Sequence, residues 1–294
     1  MGVYHAGSRA VQDRVGVRGA ADHVGRAIGE GIKPVAAAFL ELQPFLVVGA
    51  GDPATGRVWA SVLTGPPGFV RATGPHRMSV TSRTPRTDPL ATALATPDVP
   101  VGTIALDPRT RRRMRLNGRL RPTERGFAVE AEQVFANCPK YLQRRESYDV
   151  LDTRSSGTPR RGTELTPDQA EFITSADTFF LATVHPAGAD ASHRGGNPGF
   201  VTVTSPRELS WRDYPGNSMF LTLGNLAADP RAGLLFLDWT TGTVLQLTGE
   251  ARTEFDGAER RVRFRLTEAL ETPSAVPLRW SAPEYSPANP EPAD

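Results

Sequence analysis

Two stretches of this chain are copies of each other. Residues 60–118 align with residues 191–249 without a gap, at a constant offset of 131, and eighteen of the 59 positions are identical. Ordinary composition would give about four matches by chance. The identities include Pro67-Gly68-Phe69-Val70 against Pro198-Gly199-Phe200-Val201, Gly102 against Gly233, Leu106-Asp107 against Leu237-Asp238, and Gly118 against Gly249. Self-similarity of this kind predicts two related domains in tandem. The positions where the copies differ then point to where function lies.

A chain of 294 residues and 31.7 kDa has room for about two domains, each able to bury its own core. The net charge of +2 is too small to call for a polyanion, so no nucleic-acid partner is expected. Cys138 is the single cysteine, which excludes an intrachain disulfide and a thiolate metal cluster. A reducing cytoplasm is the simplest fit. No apolar run approaches membrane-spanning length, and the N-terminus lacks the apolar core of a signal peptide, so no membrane partner is expected.

Apolar runs and turn residues predict the organisation. Residues 1–44 read as an N-terminal helical segment, with a Gly-interrupted helix pattern over 8–30 and a short helix from Pro34. Residues 45–153 form the first repeat, opening with a hairpin of Phe45–Gly49 and Val58–Val62 around a turn at Asp52–Gly56. Residues 154–166 read as a polar linker. Residues 167–279 form the second repeat, with strands at Phe179–Val184, Ala191–His193, Phe200–Thr204, Met219–Leu223, Leu234–Asp238 and Val244–Thr248. Residues 280–294 read as an extended Pro-rich tail. Short strands between turn signals predict an antiparallel barrel or sandwich per repeat. Between Arg113 and Arg121, Met114, Leu116 and Leu120 alternate with arginines and Asn117, which predicts a solvated strand face, with an anion-binding face as the alternative.

The copies differ in a telling way. His193 and Arg194 align with Val62 and Leu63, and Asn225 aligns with Leu94. Two working sites would have kept both sets, so one site per chain is predicted, built mainly on the second repeat. Arg194 offers a planar fork of donors, Gly195 and Gly196 allow close backbone approach, and Asn225 is a candidate N-cap for a short helix whose N-terminus would attract phosphate. The plainer reading has Asn225 only capping and Arg194 paired with a surface carboxylate. His5, His23, His76 and His185 lie without metal-ligand spacing and are expected at the surface; no metal site is expected. Cys138 has no neighbouring His in sequence and is expected to be a buried structural thiol.

The segments DASHRGGNPGFV (190–201), GNSMFLTLGNLAADPRAGLLFLDW (216–239) and LQLTGEA (245–251) resemble the pyridoxamine 5′-phosphate oxidase-like family, which shares the FMN-binding split-barrel fold. ASVLTGPPGFV (60–70) and VGTIALD (101–107) resemble it more weakly. The resemblance implies a mainly β chain of two tandem Greek-key split barrels, forming an intrachain pseudo-dimer with flanking helices. It implies FMN in a groove between barrels, with FAD or a deazaflavin as alternatives. The implied cofactor-binding set is Ser192, His193, Arg194, Gly195, Gly196, Thr222, Gly224, Asn225, Leu226 and Gln246. The family's Arg-Gln-Val-Arg-like strand is Leu245-Gln246-Leu247-Thr248 here, and its C-terminal Arg-Leu-x-Pro segment is replaced by Pro277-Leu278-Arg279-Trp280. The resemblance therefore does not extend to a pyridoxal substrate.

The resulting expectation is an FMN-dependent oxidoreductase of open substrate, with no catalytic residue assigned. Its partners would be a small-molecule electron donor or acceptor, with room for a separate reductase or iron–sulfur protein and for a homodimer. The rivals are a non-catalytic flavin carrier or redox-sensing module, and a structural pseudo-dimer that has lost its cofactor.

Overall fold

Apolar runs flanked by turn residues become strands in both halves of the chain. The computed structural model describes residues 3–82, 84–151, 156–257 and 259–290. Helices α1 (Ala6–Val15), α2 (Arg18–Gly25) and α3 (Pro34–Glu41) lead into β1 (Phe45–Gly51), β2 (Val58–Thr64), β3 (Val70–Gly74), β4 (Arg77–Val80), β5 (Pro100–Asp107), β6 (Arg112–Thr123) and β7 (Gly126–Ala136). After β8 (Tyr148–Val150), β9 (Arg160–Gly162) and α4 (Pro167–Ser175) come β10 (Thr178–His185), β11 (Gly188–Gly195), β12 (Val201–Ser205) and β13 (Glu208–Arg212). Helix α5 (Leu221–Ala228), β14 (Arg231–Leu237), β15 (Val244–Asp256), β16 (Glu259–Thr272) and β17 (Leu278–Trp280) complete the order.

The fold is mainly β, in two large antiparallel sheets with the same connectivity. The first runs β2-β1-β5-β6-β7-β4-β3 and the second β11-β10-β14-β15-β16-β13-β12. Strand for strand these are the same order, and most ranges superpose at the sequence offset. Each sheet buries a core of its own. Leu46, Val48, Leu116 and Phe127 belong to the first, and Phe179, Leu181, Trp211 and Phe236 to the second. The alternate residues of the same strands, Phe45, Val47, Phe180 and Ala182, meet in a third cluster between the sheets. Successive strand residues face opposite ways, so β1 and β10 are buried on both sides and read as unbroken apolar runs.

The glycines define how the halves meet. A Cβ on Gly102 would lie 2.4 Å from Asp190 Cα, and one on Gly233 would lie 2.6 Å from Trp59 Cα. Gly102 aligns with Gly233, and Trp59 aligns with Asp190. One contact is thus made twice with the partners exchanged, as across a twofold axis. Cross-strand pairing matches Gly49 to Ala182, because they face the aligned Ala60 and Ala191. A Cβ on Gly49 would lie 2.5 Å from the Ala182 Cβ, so these counterparts meet at the axis itself. The halves form an intrachain pseudo-dimer.

Several local expectations change. The helical pattern over 8–30 is broken at Gly16, which takes the left-handed conformation (φ 73°) and caps α1. Met219–Leu223 is not a strand: Leu221–Ala228 is helical, with Leu223 and Leu226 on the second core. A short apolar run satisfies either period, and here packing chose the helix. The expected linker contains β9, which pairs with β16; its first residues, Arg154 and Ser155, lie outside the described residues. The tail is docked as far as it is described, through a bridge between Glu284 and Arg144 and a hydrogen bond from the Ser286 amide to Gln143 Oε1 (2.8 Å); residues 291–294 lie outside the described residues. Among the described residues no helix is long and apolar enough to cross a membrane.

Candidate functional site

The site begins with the arginine-rich strand β6. Met114, Leu116 and Leu120 enter the first core, which turns Arg113, Arg115 and Asn117 to the opposite face. That face was expected to be solvated. The second sheet covers it instead, because the wet side of an isolated barrel is the contact side of a pair. Arg115 Nη1 donates to Asp190 Oδ2 (2.9 Å), Asn117 Nδ2 to Asp190 Oδ1 (3.1 Å), and Thr222 Oγ1 to Asp190 Oδ2 (3.3 Å). Both members of the Arg115–Asp190 pair are buried.

Beside this pair lies a cleft of about 120 Å³ between β6, β11, the loop after β7 and the segment before α5. Arg113 and Arg115 enter from the first half, and His193, Arg194, Trp211 and Thr222 from the second. Arg113 donates from Nη1 to His193 Nδ1, and from Nη2 to the carbonyls of Cys138 (2.7 Å) and Lys140 (3.3 Å). No described carboxylate forms an ion pair with Arg113. Burial, followed by repulsion from Arg115 and Arg194, pushes its pKa down to about 9. Arg194 is partly committed: Nη2 lies 3.5 Å from Asp213 Oδ1, and Asp213 also receives Arg260 Nε at 3.1 Å. Burial lowers the Arg194 pKa too.

His193 follows from these neighbours. Arg113 can only donate, so Nδ1 accepts and the proton of the neutral ring sits on Nε2. Burial, then the charges of Arg113, Arg194 and Arg115, hold its pKa well below the ordinary histidine range. The imidazole is therefore a neutral N–H donor at physiological pH.

The cleft has donors to spare. The Nε atoms of Arg113, Arg115 and Arg194, and Nε1 of Trp211, are buried without a hydrogen-bond partner among the described residues. The lining contributes one unpartnered acceptor, Asn137 Oδ1. Buried donors without partners are costly, and a ligand rich in acceptor oxygens would supply what is missing. Helix α5 opens onto the same space through Leu221, Thr222 and Leu223, and its first turn has no side-chain cap. Its free N–H groups add to the field for an anion.

Of the residues expected from sequence, His193, Arg194, Gly195 and Thr222 line this cleft. Ser192 touches it through a hydrogen bond from Arg194 Nη1 (3.3 Å). Gly196 is held in a loop by Asp177 O. Gly224, Asn225 and Leu226 lie further along α5. Gly224 packs against Ser8, and Leu226 enters the second core. Asn225 is not the N-cap, which is Phe220. It is buried mid-helix, where its Nδ2 donates to Thr183 Oγ1 (2.9 Å) and its Oδ1 meets His5 Nε2 (2.8 Å). Gln246 sits across the molecule from the cleft, donating to Ala60 O (2.8 Å) and Ser61 Oγ (2.9 Å). His5 and His185 are not isolated surface groups; their rings stack at 4.4 Å. Cys138 is partly exposed and lines the cleft, rather than being buried in the core.

Arg113 and Arg115 were anticipated only through the alternative of an anion-binding strand face, and Trp211 and Asp213 not at all. The signal for two of them was present. Arg113 aligns with Val244 and Arg115 with Gln246, the same charged-against-uncharged asymmetry that singled out His193 and Arg194.

Residues 165–279 match the family model described as pyridoxamine 5′-phosphate oxidase. The match covers less than half of the chain, and shows that its second half is similar to that family. The matched segment of the oxidase family runs from just before α4 to β17 and supplies one wall of the cleft. Comparison with curated proteins gives no match. Solved structures are similar over part of the chain. One is a putative pyridoxamine 5′-phosphate oxidase from Lactobacillus delbrueckii, 18% identical, covering 37% of this chain and 94% of its own, with a TM-score of 0.31. Another is HupZ of Group A Streptococcus, 10% identical over 35% of this chain and 90% of its own, with a TM-score of 0.29. A third is an FAD-binding protein from Mycobacterium smegmatis, 16% identical over 39% and 98%, with a TM-score of 0.27.

Proposed function

We propose that this protein is a flavin-binding oxidoreductase with one site per chain, and that the cleft between its halves takes FMN by the phosphate. The observation that carries this reading is the set of four buried donors, unpartnered among the described residues, around Arg113, a guanidinium with no described carboxylate partner. A phosphate monoester offers a dianion with three terminal oxygens, which suits such a donor set. FAD, whose diphosphate diester has no terminal monoester, or a deazaflavin bearing phosphate is the alternative, and each would meet the same donors through its non-bridging phosphate oxygens. The offset repeats and shared strand order support a duplicated domain in which only one of two equivalent positions kept the site.

The residues divide the work. Arg113 and Arg194 would hold the phosphate, with the first-turn amides of α5 beside them. His193 would donate from Nε2, and Arg113 fixes that tautomer. Asp190 holds Arg115 and Thr222 in place, and Asp213 does the same for Arg194. When bound, the flavin supplies the electron-transfer chemistry itself. A small-molecule electron donor or acceptor completes the proposal.

One observation favours the second reading, a flavin carrier or redox sensor. Near the cleft, burial pushes His193 away from its charged form and raises Tyr141 and Tyr214, so none of the three exchanges a proton readily near pH 7. Titration with FMN tests the binding proposal. Saturation near one equivalent per chain is expected, and two equal sites, or none, would overturn it. Steady-state oxidation of NADH or NADPH by the loaded protein then separates the enzyme from the carrier.

A further inference from the structure

We propose that the loop over residues 137–141 and the segment over 213–220 form a gate over the cleft, latched by Tyr141 and pinned by Arg113. The proposal rests on the reading of the cleft as a flavin-phosphate site. A cleft of about 120 Å³ is small beside the roughly 300–1,000 Å³ of ligand pockets, so room for more than the phosphate end of a flavin comes from movement of a wall.

Two walls lack regular structure, and they touch each other. Tyr141 Oη donates to Pro215 O (2.9 Å), and the Tyr141 ring lies 5.1 Å from that of Tyr214. One lip comes from each half of the pseudo-dimer, so the contact spans the cleft. The backbone of both lips is held under tension. Tyr141 (φ 64°), Ser218 (φ 62°) and Phe220 (φ 54°) all take the left-handed conformation, which is uncommon for residues with a side chain and costly for bulky ones. Such conformations last only while surrounding contacts impose them. On the first lip those contacts include the Tyr141 latch and its ring contact with Tyr214, Gln143 Nε2 donating to Tyr141 O (3.1 Å), Arg113 holding the carbonyls of Cys138 and Lys140, the Asn137 amide donating to Arg113 O (3.2 Å) and the Leu142 amide donating to Pro139 O (3.3 Å).

Arg113 couples ligand charge to the gate. Its Nη groups are spent on His193 and on the lip, while its Nε is idle. A dianion in the cleft competes with two neutral carbonyls for the same guanidinium, and charge-assisted bonds are about twice as strong as neutral ones. An arriving phosphate therefore frees the lip that Arg113 had pinned.

Tyr141→Phe removes the latch hydroxyl and keeps the ring. Stopped-flow mixing with FMN should show association and dissociation both faster, by about three- to ten-fold, the size of one net hydrogen bond. A rise in dissociation alone would make Tyr141 a ligand contact and overturn the gate, as would unchanged rates. A second measurement does not depend on flavin. Cys138, the only thiol in the chain, sits in the moving lip. Its alkylation by iodoacetamide in ligand-free protein should accelerate by a similar factor in Tyr141→Phe, and an unchanged rate overturns the gate. If the parent binds no FMN yet alkylation accelerates, the flavin reading has failed and the moving lip stands.

Discussion

The two equivalent positions of the pseudo-dimer have opposite contents. Where β6 meets β11 there are Arg113, Arg115, His193 and Arg194, with donors left unpartnered. Where β15 meets β2 the aligned residues are Val244, Gln246, Val62 and Leu63. Val244 and Leu63 are buried there. Gln246 is satisfied by Ala60 and Ser61, and Asp88 supplies a carboxylate to Ser61 Oγ at 2.7 Å. The first position keeps buried donors that no described residue partners; the second has completed itself with its own side chains. The same strand order therefore serves once as a site and once as a core. The comparison shows that the backbone provides the seam, and side-chain charge decides whether its polar groups are satisfied within it.

The strongest test removes the charge that makes the difference. Arg113→Ala should weaken FMN by about 30- to 150-fold, or about 2–3 kcal/mol, with riboflavin nearly unaffected because it has no phosphate. Arg194→Ala should also weaken FMN, and Arg194→Lys should recover part of the loss, since an ammonium lacks the planar fork. Equal losses for FMN and riboflavin would show that neither arginine holds phosphate. In ligand-free protein Arg113→Met should be neutral or stabilising in a urea titration, because it relieves a buried charge without a carboxylate partner.

The seam itself can be broken symmetrically. Gly102→Ala and Gly233→Ala each place a methyl against backbone of the other half, at 2.4 Å and 2.6 Å from the nearest atoms. Each should cost about 1–3 kcal/mol by overpacking, measured by urea unfolding. If one is harmless and the other severe, the halves are not related as the glycines suggest.

Acidity should distinguish the two positions more gently. His193 has a folded-state pKa below its unfolded value of 6.5, so the unfolded chain binds the extra proton. Stability is therefore retained above about pH 6.5 and lost as pH falls below it, by up to about 1.4 kcal/mol per pH unit. His193→Gln should flatten that decline in thermal melts between pH 7 and 5.5. Asp88 has the opposite sign. Burial raises its pKa above 3.8, so stability falls as pH rises from 3.8 through the folded value. Asp88→Asn should gain about 1 kcal/mol or less at pH 7 and nothing near pH 4.

Much of the architecture was legible because the repeat carried it. The strands at 45–49, 58–62 and 179–184 lie within observed strands, and that at 234–238 does so but for Asp238, since their apolar runs are bounded by turn residues. His193 and Arg194 were legible through the asymmetry of the copies. Arg113 was legible only as part of an alternative anion-binding face, because alternation on β6 says which residues share a face and nothing about what covers that face. Asn225 has the chemistry of a cap, but packing of α5 against α1 put the N-cap at Phe220, five residues upstream of it, and gave its amide to Thr183 and His5. The pairing of His5 with His185 joins residues 180 positions apart, which no local pattern reports.

The contact of Gly49 with Ala182 places covalently joined halves on one axis. In a dimer of identical chains every substitution appears on both sides of such an axis, and a residue good for one site is imposed on the other. Joining the halves removes that constraint. It also makes their meeting an intramolecular event, so dilution does not dissociate the seam and the cleft does not depend on protein concentration.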